Sequence, residues 1–196
     1  MKDGDYTVLD IETTGLSRHR DRITEIAAIK FRKGRKIDEF ESLVNPEKHI
    51  PSFITRLTGI DDDMVKDAPK IDIVLPELMD FLGDSVIVAH SASFDHGFLN
   101  VNAERHLNIS LENERLCTRK LANRLLPDLP SKRLDILCEY FELNNKAAHR
   151  AMGDTRVTAD IFSRFLTMLR KDDIALKEDI IGFERAPRGK FRRKAL

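Results

Sequence analysis

Three short runs near the start of the chain have the spacing of strands. Residues 6–11 (YTVLDI) are rich in β-formers, residues 23–31 (ITEIAAIKF) form a second apolar run, and residues 36–44 (KIDEFESLV) alternate apolar with charged positions. Turn-like segments separate them, and Gly34 stands where a hairpin turn belongs, so the pattern predicts an antiparallel meander. Pro46 and Pro51 then mark a loop. Residues 73–82 read as an amphipathic helix, and the short apolar run 85–89 (SVIVA) as a strand covered on both faces. A helix over 94–106 follows. Residues 118–126 and 132–141 predict two more, parted by Pro127 and Pro130, with Ser131 as N-cap of the second. Val157, Ile161, Phe165 and Met168 line one face of a long helix, which residues 172–181 extend or follow. Strands first, then a strand–helix unit, then mostly helices: this is the order of an α/β layered domain with a mixed sheet. No internal repeat or second domain is visible, and a boundary near Gly182 divides a domain, 1–182, from a tail, 183–196.

Composition narrows the class. A chain of 196 residues, 41% hydrophobic and 34% charged, suits one soluble globular domain. No apolar run approaches the ~20 residues of a membrane span. Residues 1–10 are polar and acidic, unlike a secretory signal. Cys117 and Cys138 lack CxxC spacing and read as reduced thiols of a cytoplasmic protein.

The net charge of zero conceals an asymmetry. Six of the 33 basic residues (Arg185, Arg188, Lys190, Arg192, Arg193 and Lys194) fall together without an acid, leaving 27 against 33 acidic residues elsewhere. An acidic body suits phosphate chemistry when its carboxylates hold divalent cations, which supply the positive charge. The basic tail either steers nucleic acid by a screened, sequence-independent attraction or is a solvated end.

Candidate chemistry starts at Asp10 and Glu12. Two apart at a strand end, they share a face, where two carboxylates repel each other unless a cation lies between them. Thr13, Thr14 and Gly15 follow, with hydroxyls, backbone N–H groups and a residue suited to a tight turn. Taken alone, this is also an ordinary acidic strand end. Asp95 falls in the first turn of its helix, where a carboxylate equally supports the helix dipole. Phe94 fits a core position or a place near a base. His149 precedes the long helix and Asp154 lies about one turn inside it. Four carboxylates and no thiolate imply hard cations, Mg²⁺ or Mn²⁺ rather than Zn²⁺, and such a site can hold two ions about 3.5–4 Å apart. Histidine is the side chain suited to take a proton from water near neutral pH.

Three segments, VLDIETTGL, VAHSASFDHGFL and HRAMGDT, in that order, resemble the exonuclease motifs of the DEDD superfamily. The spacing from His149 to Asp154 is similar to that of its DEDDh branch. Within that branch the chain looks like the proofreading (epsilon) subunits of bacterial DNA polymerase III and the exonuclease domains of Gram-positive replicative polymerases. The likeness runs from Tyr6 to Leu169. It implies an RNase H-like three-layer fold, a central mixed five-stranded sheet flanked by helices. The implied activity is two-metal 3′→5′ hydrolysis of DNA releasing nucleoside 5′-monophosphates, in proofreading or repair. Asp10, Glu12, Asp95 and Asp154 fall on the metal-ligand positions and His149 on the general base. Thr13, Thr14, Gly15 and Leu16 fall on the segment lining the terminal nucleotide, and Leu57, Thr58, Gly59 and Ile60 on a second substrate-contacting segment.

The sequence departs from that pattern in three places. Ser91 stands where many relatives carry Asn, and Thr58 where epsilon subunits often carry His. The chain holds no glutamine, so the Gln-led clamp-binding peptide of epsilon subunits is missing. The expected partner is a single-stranded or frayed DNA 3′ end, with polymerase association open. Two alternatives stand beside this reading: an exoribonuclease trimming RNA or degrading oligoribonucleotides, and a nucleic-acid-binding module with a dead site.

Overall fold

The meander forms at the start of the chain. In the computed structural model, which describes residues 5–187, β1 (Asp5–Thr13) pairs antiparallel with β2 (Ile23–Arg32), and β2 with β3 (Arg35–Leu43). Lys33 and Gly34 both take positive φ, 50° and 78°. A two-residue turn with both residues left-handed matches the twist of the flanking strands, which is why the hairpin closes at Gly34. β3 lies at the sheet edge, and exposed Arg35, Lys36, Asp38, Glu39 and Glu41 guard it against further pairing.

Two short helices follow that the apolar pattern does not predict, α1 (Ser52–Thr58) and α2 (Asp62–Val65). Neither is long enough to show a period. Their ends are set by capping instead: Gly59, at φ 74°, donates its N–H to the Thr55 carbonyl, and the Asp61 side chain accepts from the Met64 N–H. Ile50, Ile54, Ile60 and Val65 form their small core.

α3 (Ile71–Leu82) turns Val74, Leu75, Leu78 and Leu82 inward. β4 (Val86–Ala89), fully buried, runs parallel to β1, and α4 (Ala92–Leu107) follows it. β5 (Arg115–Cys117) completes the sheet in the order β3-β2-β1-β4-β5. Three residues are too few for an alternation to register, so β5 escapes the sequence pattern. Then come α5 (Thr118–Leu125), α6 (Leu134–Tyr140), α7 (Ala151–Lys171) and α8 (Lys177–Arg185).

Strand alternation sorts the core into two layers. Tyr6, Val8, Val86 and Val88 pack against α5, α6, α7 and α8, while Leu9, Ile11, Ile87 and Ala89 pack against α3 and α4. The result is the expected three-layer fold with a mixed five-stranded sheet. Among the described residues no helix is long and apolar enough to cross a membrane.

Two local expectations are corrected and one is narrowed. Ser131 does not cap α6: the helix starts at Leu134 after Arg133, and the Ser131 hydroxyl accepts a long bond, 3.4 Å, from the Arg133 N–H. Of the two alternatives for residues 172–181, they follow α7 and do not extend it, because Asp173 takes φ 60°, and α8 begins at Lys177. Nor does Gly182 mark an end. α8 runs through it, burying Phe183 and Glu184, pairing Glu184 with Lys120, and pairing Arg185 with Glu114. Arg188, Lys190, Arg192, Arg193 and Lys194 lie outside the described residues.

α7 is the element most tied to the sheet, meeting both β1 and β2. Phe165, wholly buried, packs edge-on to Phe141 at 5.8 Å. Phe165→Ala is expected to cost about 3–5 kcal/mol, read by urea unfolding. A loss under about 1 kcal/mol would mean that this ring does not anchor α7.

Candidate active site

The alternation of β1 continues beyond its apolar ladder. Tyr6 and Val8 face the α7 layer, so Asp10 and Glu12 face it too, where α7 begins. Asp154, in the first turn of α7, meets them: one carboxylate oxygen from each of Asp10, Glu12 and Asp154 lies within 4.8 Å of the others. Asp95 enters from the first turn of α4, 3% exposed, and accepts a hydrogen bond from the Ile11 backbone N–H. It is outside the group of three but close enough for its charge to bear on Asp10 and Glu12. The four sequence-predicted carboxylates, from two strand positions and two helix N-termini, therefore converge.

Burial raises all four carboxyls, and the charges of the other site acids add to it at Asp10 and Glu12. Desolvation, then the charges of Asp95, Glu12 and Asp154, hold the Asp10 carboxyl well above the usual range. Desolvation pushes Glu12 up to about 8, with Asp154 and Glu25 adding to it. Asp95 rises to about 7 through desolvation, against the pull of its backbone N–H donors. Asp154 rises for the same first reason, opposed by its bond from Asn145 and by His149. Without a cation Glu12 keeps its proton at neutral pH and Asp95 is close to half protonated there. The donors are oxygens only, which fits a hard divalent ion.

His149 stands just ahead of α7 in a left-handed conformation, φ 62°, with its side chain exposed. Its backbone N–H bonds to Asp154. Asn145 Nδ2 donates to Asp154 Oδ1 at 2.6 Å, so the loop before α7 is tied to the carboxylate it delivers. The same loop lies directly on the helix at Gly153, where a Cβ would come within 2.2 Å of the Ala147 carbonyl oxygen. His149 and Asp154 open onto a cavity of about 440 Å³ whose far wall includes His90, Arg119 and Arg133. His90 gives or takes a bond with the Thr118 hydroxyl at 3.0 Å, and burial lowers its pKa to about 4, so it is a neutral wall residue.

The RNase T family model, described as exonuclease, matches residues 7–162. The chain belongs to the RNase T exonuclease family. It is 44% identical over 178 residues to a PolC-type DNA polymerase III of Caldanaerobacter subterraneus subsp. tengcongensis, covering 91% of this chain and 13% of that protein. It is 43% identical over 169 residues to a putative bifunctional exonuclease/endonuclease protein of Mycobacterium tuberculosis, covering 82% of this chain and 26% of that one. The chain thus spans roughly an eighth to a quarter of the length of these relatives. Among solved structures it is similar to exonuclease X in complex with 5′ overhanging duplex DNA, at TM-score 0.67 and 30% identity over 83% of this chain and 91% of that one. Its RNase H-like fold is shared with Escherichia coli exonuclease I in complex with a dT13 oligonucleotide, at TM-score 0.75 and 18% identity over 86% of this chain and 42% of that one.

In this exonuclease-family chain the segments expected at the substrate divide into two kinds. Leu16 and Leu57 are exposed, 86% and 52%, as free apolar side chains. Thr13, Thr14 and Thr58 are buried and bonded internally. The Thr13 hydroxyl donates to the Gly15 carbonyl, that of Thr14 accepts from the Arg22 N–H, and that of Thr58 bridges the Ile54 carbonyl and the Ile60 N–H. These threonines shape their loops. Gly15 lies against Asp21, 2.6 Å from where a Cβ would stand. Phe94 is half-buried, its ring 4.9 Å from that of Phe98. Ser91 is exposed and stands at the N-cap of α4 without a side-chain cap bond. Two further residues escaped the sequence reading: Asn145, which carries no periodic signal, and Glu25, whose signal is an acid inside the apolar run of β2.

Carboxyls with pKa values raised above their unfolded ~4 stabilise the fold while protonated. That contribution is full below about pH 4 and is lost as pH rises through about 7 to 8. In EDTA, Glu12→Gln should therefore gain in Tm over the unsubstituted chain as pH rises from 5 to 8, and added Mn²⁺ should reverse the order. Thermal melts across that range check it, and a Tm difference independent of pH would contradict the raised pKa of Glu12.

Proposed function

We propose that this chain is a DEDDh-type 3′→5′ exonuclease acting on DNA with two divalent cations, Mg²⁺ or Mn²⁺. The observation that carries this reading is the meeting of Asp10, Glu12 and Asp154 within 4.8 Å, with Asp95 beside them and His149 tied to Asp154 at the mouth of a cavity. Asp10, Glu12, Asp95 and Asp154 hold the ions. Bound there, divalent cations supply the positive charge that a phosphodiester needs as negative charge builds on its attacking and leaving oxygens. His149 takes the proton of the attacking water. A separate base makes chemical sense, because carboxylates engaged by cations are poor bases.

The cavity gives the rest of the strand a place. Arg119 and Arg133 on its wall are positioned to meet backbone phosphates, a contact without sequence preference. Leu16 and Leu57 are free to pack on the bases of the terminal nucleotides. DNA is favoured over RNA because exonuclease X, 30% identical to this chain, is bound to 5′ overhanging duplex DNA in its solved complex. The similarity to PolC-type polymerases supports a replicative or repair role in the cytoplasm, in association with a polymerase.

The test is digestion of one single strand, labelled at its 3′ or its 5′ end, across Mg²⁺ and Mn²⁺ titrations, with a matched RNA and with Asp95→Ala. The 3′ label should leave first, as a nucleoside 5′-monophosphate, with DNA faster than RNA. EDTA should abolish the activity, and Asp95→Ala should lower it at least about 10²-fold while the chain stays folded. Cleavage from the 5′ end, or full activity in EDTA or in Asp95→Ala, would end this reading. A strong RNA preference would replace its substrate.

A further inference from the structure

Glu25 lies in the interior of the sheet, 1% exposed, directly across the β1–β2 ladder from Glu12. Like charges so placed repel, and a buried carboxylate without partners is costly. The pairing skips Thr24 just beyond this point, an irregularity that marks the end of the regular ladder. Glu25 tolerates its position because both its oxygens are engaged by the start of α7. Arg150 Nε donates to Oε1 at 3.1 Å and to Oε2 at 3.2 Å, Arg150 Nη2 donates to Oε1 at 2.5 Å, and the Ala151 backbone N–H donates to Oε2 at 2.8 Å. Glu25 is accordingly not among the carboxylates that converge on the candidate ion site.

α7 lacks a cap of its own. Arg150, its N-cap residue, makes no side-chain cap bond, so Glu25 provides from β2 an acceptor that the helix terminus requires. The planar guanidinium fork then fixes Arg150 in direction as well as distance. The residue before Arg150 is His149, held at φ 62°, a conformation that a residue with a side chain keeps only when its surroundings impose it. Asp154 has separate restraints, from Asn145 and from deeper packing of α7.

We propose that Glu25 and Arg150 are positioning residues: through this clamp, buried at Glu25 and half-buried at Arg150, β2 sets the place of the His149 imidazole relative to the carboxylates of β1. The inference rests on the reading of His149 as the base. A displacement of about 1 Å at a reacting group costs on the order of 10²-fold in rate, so a change of fork geometry is enough to be seen.

The experiment is a double-mutant cycle on single-stranded DNA at saturating Mg²⁺, with Glu25→Gln and Arg150→Lys made singly and each combined with His149→Ala. Glu25→Gln keeps the shape and an acceptor for Ala151. Arg150→Lys keeps the charge but loses the fork, and it carries the comparison if Glu25→Gln does not fold. Each single variant is expected to lower kcat about 10- to 100-fold with KM within about twofold and with cooperative melting retained. In the His149→Ala background the same changes should cost less than about threefold, since no base remains to be positioned. Equal losses in both backgrounds, or an unchanged kcat in the singles, would overturn the proposal. His149→Ala as active as the unsubstituted chain would instead overturn the assignment of the base, and the clamp's role with it.

Discussion

The desolvation of four carboxylates gathered at the end of β1 is the constraint around which this domain is arranged. Burial raises the pKa of Asp10, Glu12, Asp95 and Asp154, and at Asp10 and Glu12 the charges of the other site acids raise it further. A fold selected for stability alone would not collect them. Their cost is distributed: each acid stands at the terminus of a strand or helix, with solvent or a helix N-terminus within reach, and the wholly apolar part of the sheet lies behind them. The site is thus the rim of a rigid core, and the divalent cations proposed there would complete the local charge balance.

Rigidity comes from the way α7 lies on the sheet. Ala27 and Ala151 are small and fully buried, so the helix approaches β2 closely, and the Thr155 hydroxyl reaches the Ala27 carbonyl. Phe162 and Phe165 anchor the helix further along, against Tyr6 and Phe141. Gly153 lets the preceding loop lie flat on the first turn. One helix therefore delivers Asp154 from its first turn and His149 from just before it, and errors in its placement would move both. The Glu25–Arg150 pair, buried at Glu25 and half-buried at Arg150, belongs to this same device. Such an ion pair is weak evidence for stability, but this one joins the strand opposite the proposed metal-holding carboxylates to the helix that carries the proposed base.

The exposed features divide by sign and polarity. Apolar Leu16 and Leu57 project to solvent, and Arg119 and Arg133 line the cavity beside His149. A strand of nucleic acid presents both bases and phosphates, and in the proposed function these surfaces would meet each without reading a sequence. The acidic balance of the body is not at odds with that role, because the acids of the site are the ones a cation neutralises.

Much of this was legible in the linear sequence because strands and long helices repeat. The period of two placed Asp10 and Glu12 on one face, the hairpin at Gly34 followed from its turn residue, and Val157, Ile161, Phe165 and Met168 announced α7. The order of three acidic segments then pointed to the family. The elements without a period, α1, α2 and β5, were not readable, because capping and neighbouring strands define them rather than internal repetition. Ser131 as a cap and Gly182 as a boundary failed for a related reason. Each was inferred from residue type alone, whereas the helix start at Leu134 and the burial of Phe183 depend on tertiary neighbours. Glu25 shows the difference most sharply. By itself the sequence singled out the residues proposed to carry the chemistry, since carboxylates and a histidine keep their character wherever the chain puts them. Only the tertiary structure decided that three of those acids meet within 4.8 Å while Glu25, another carboxylate close by, is turned to hold Arg150. Which groups meet is set by strand register and helix packing, and these bring together residues 125 positions apart.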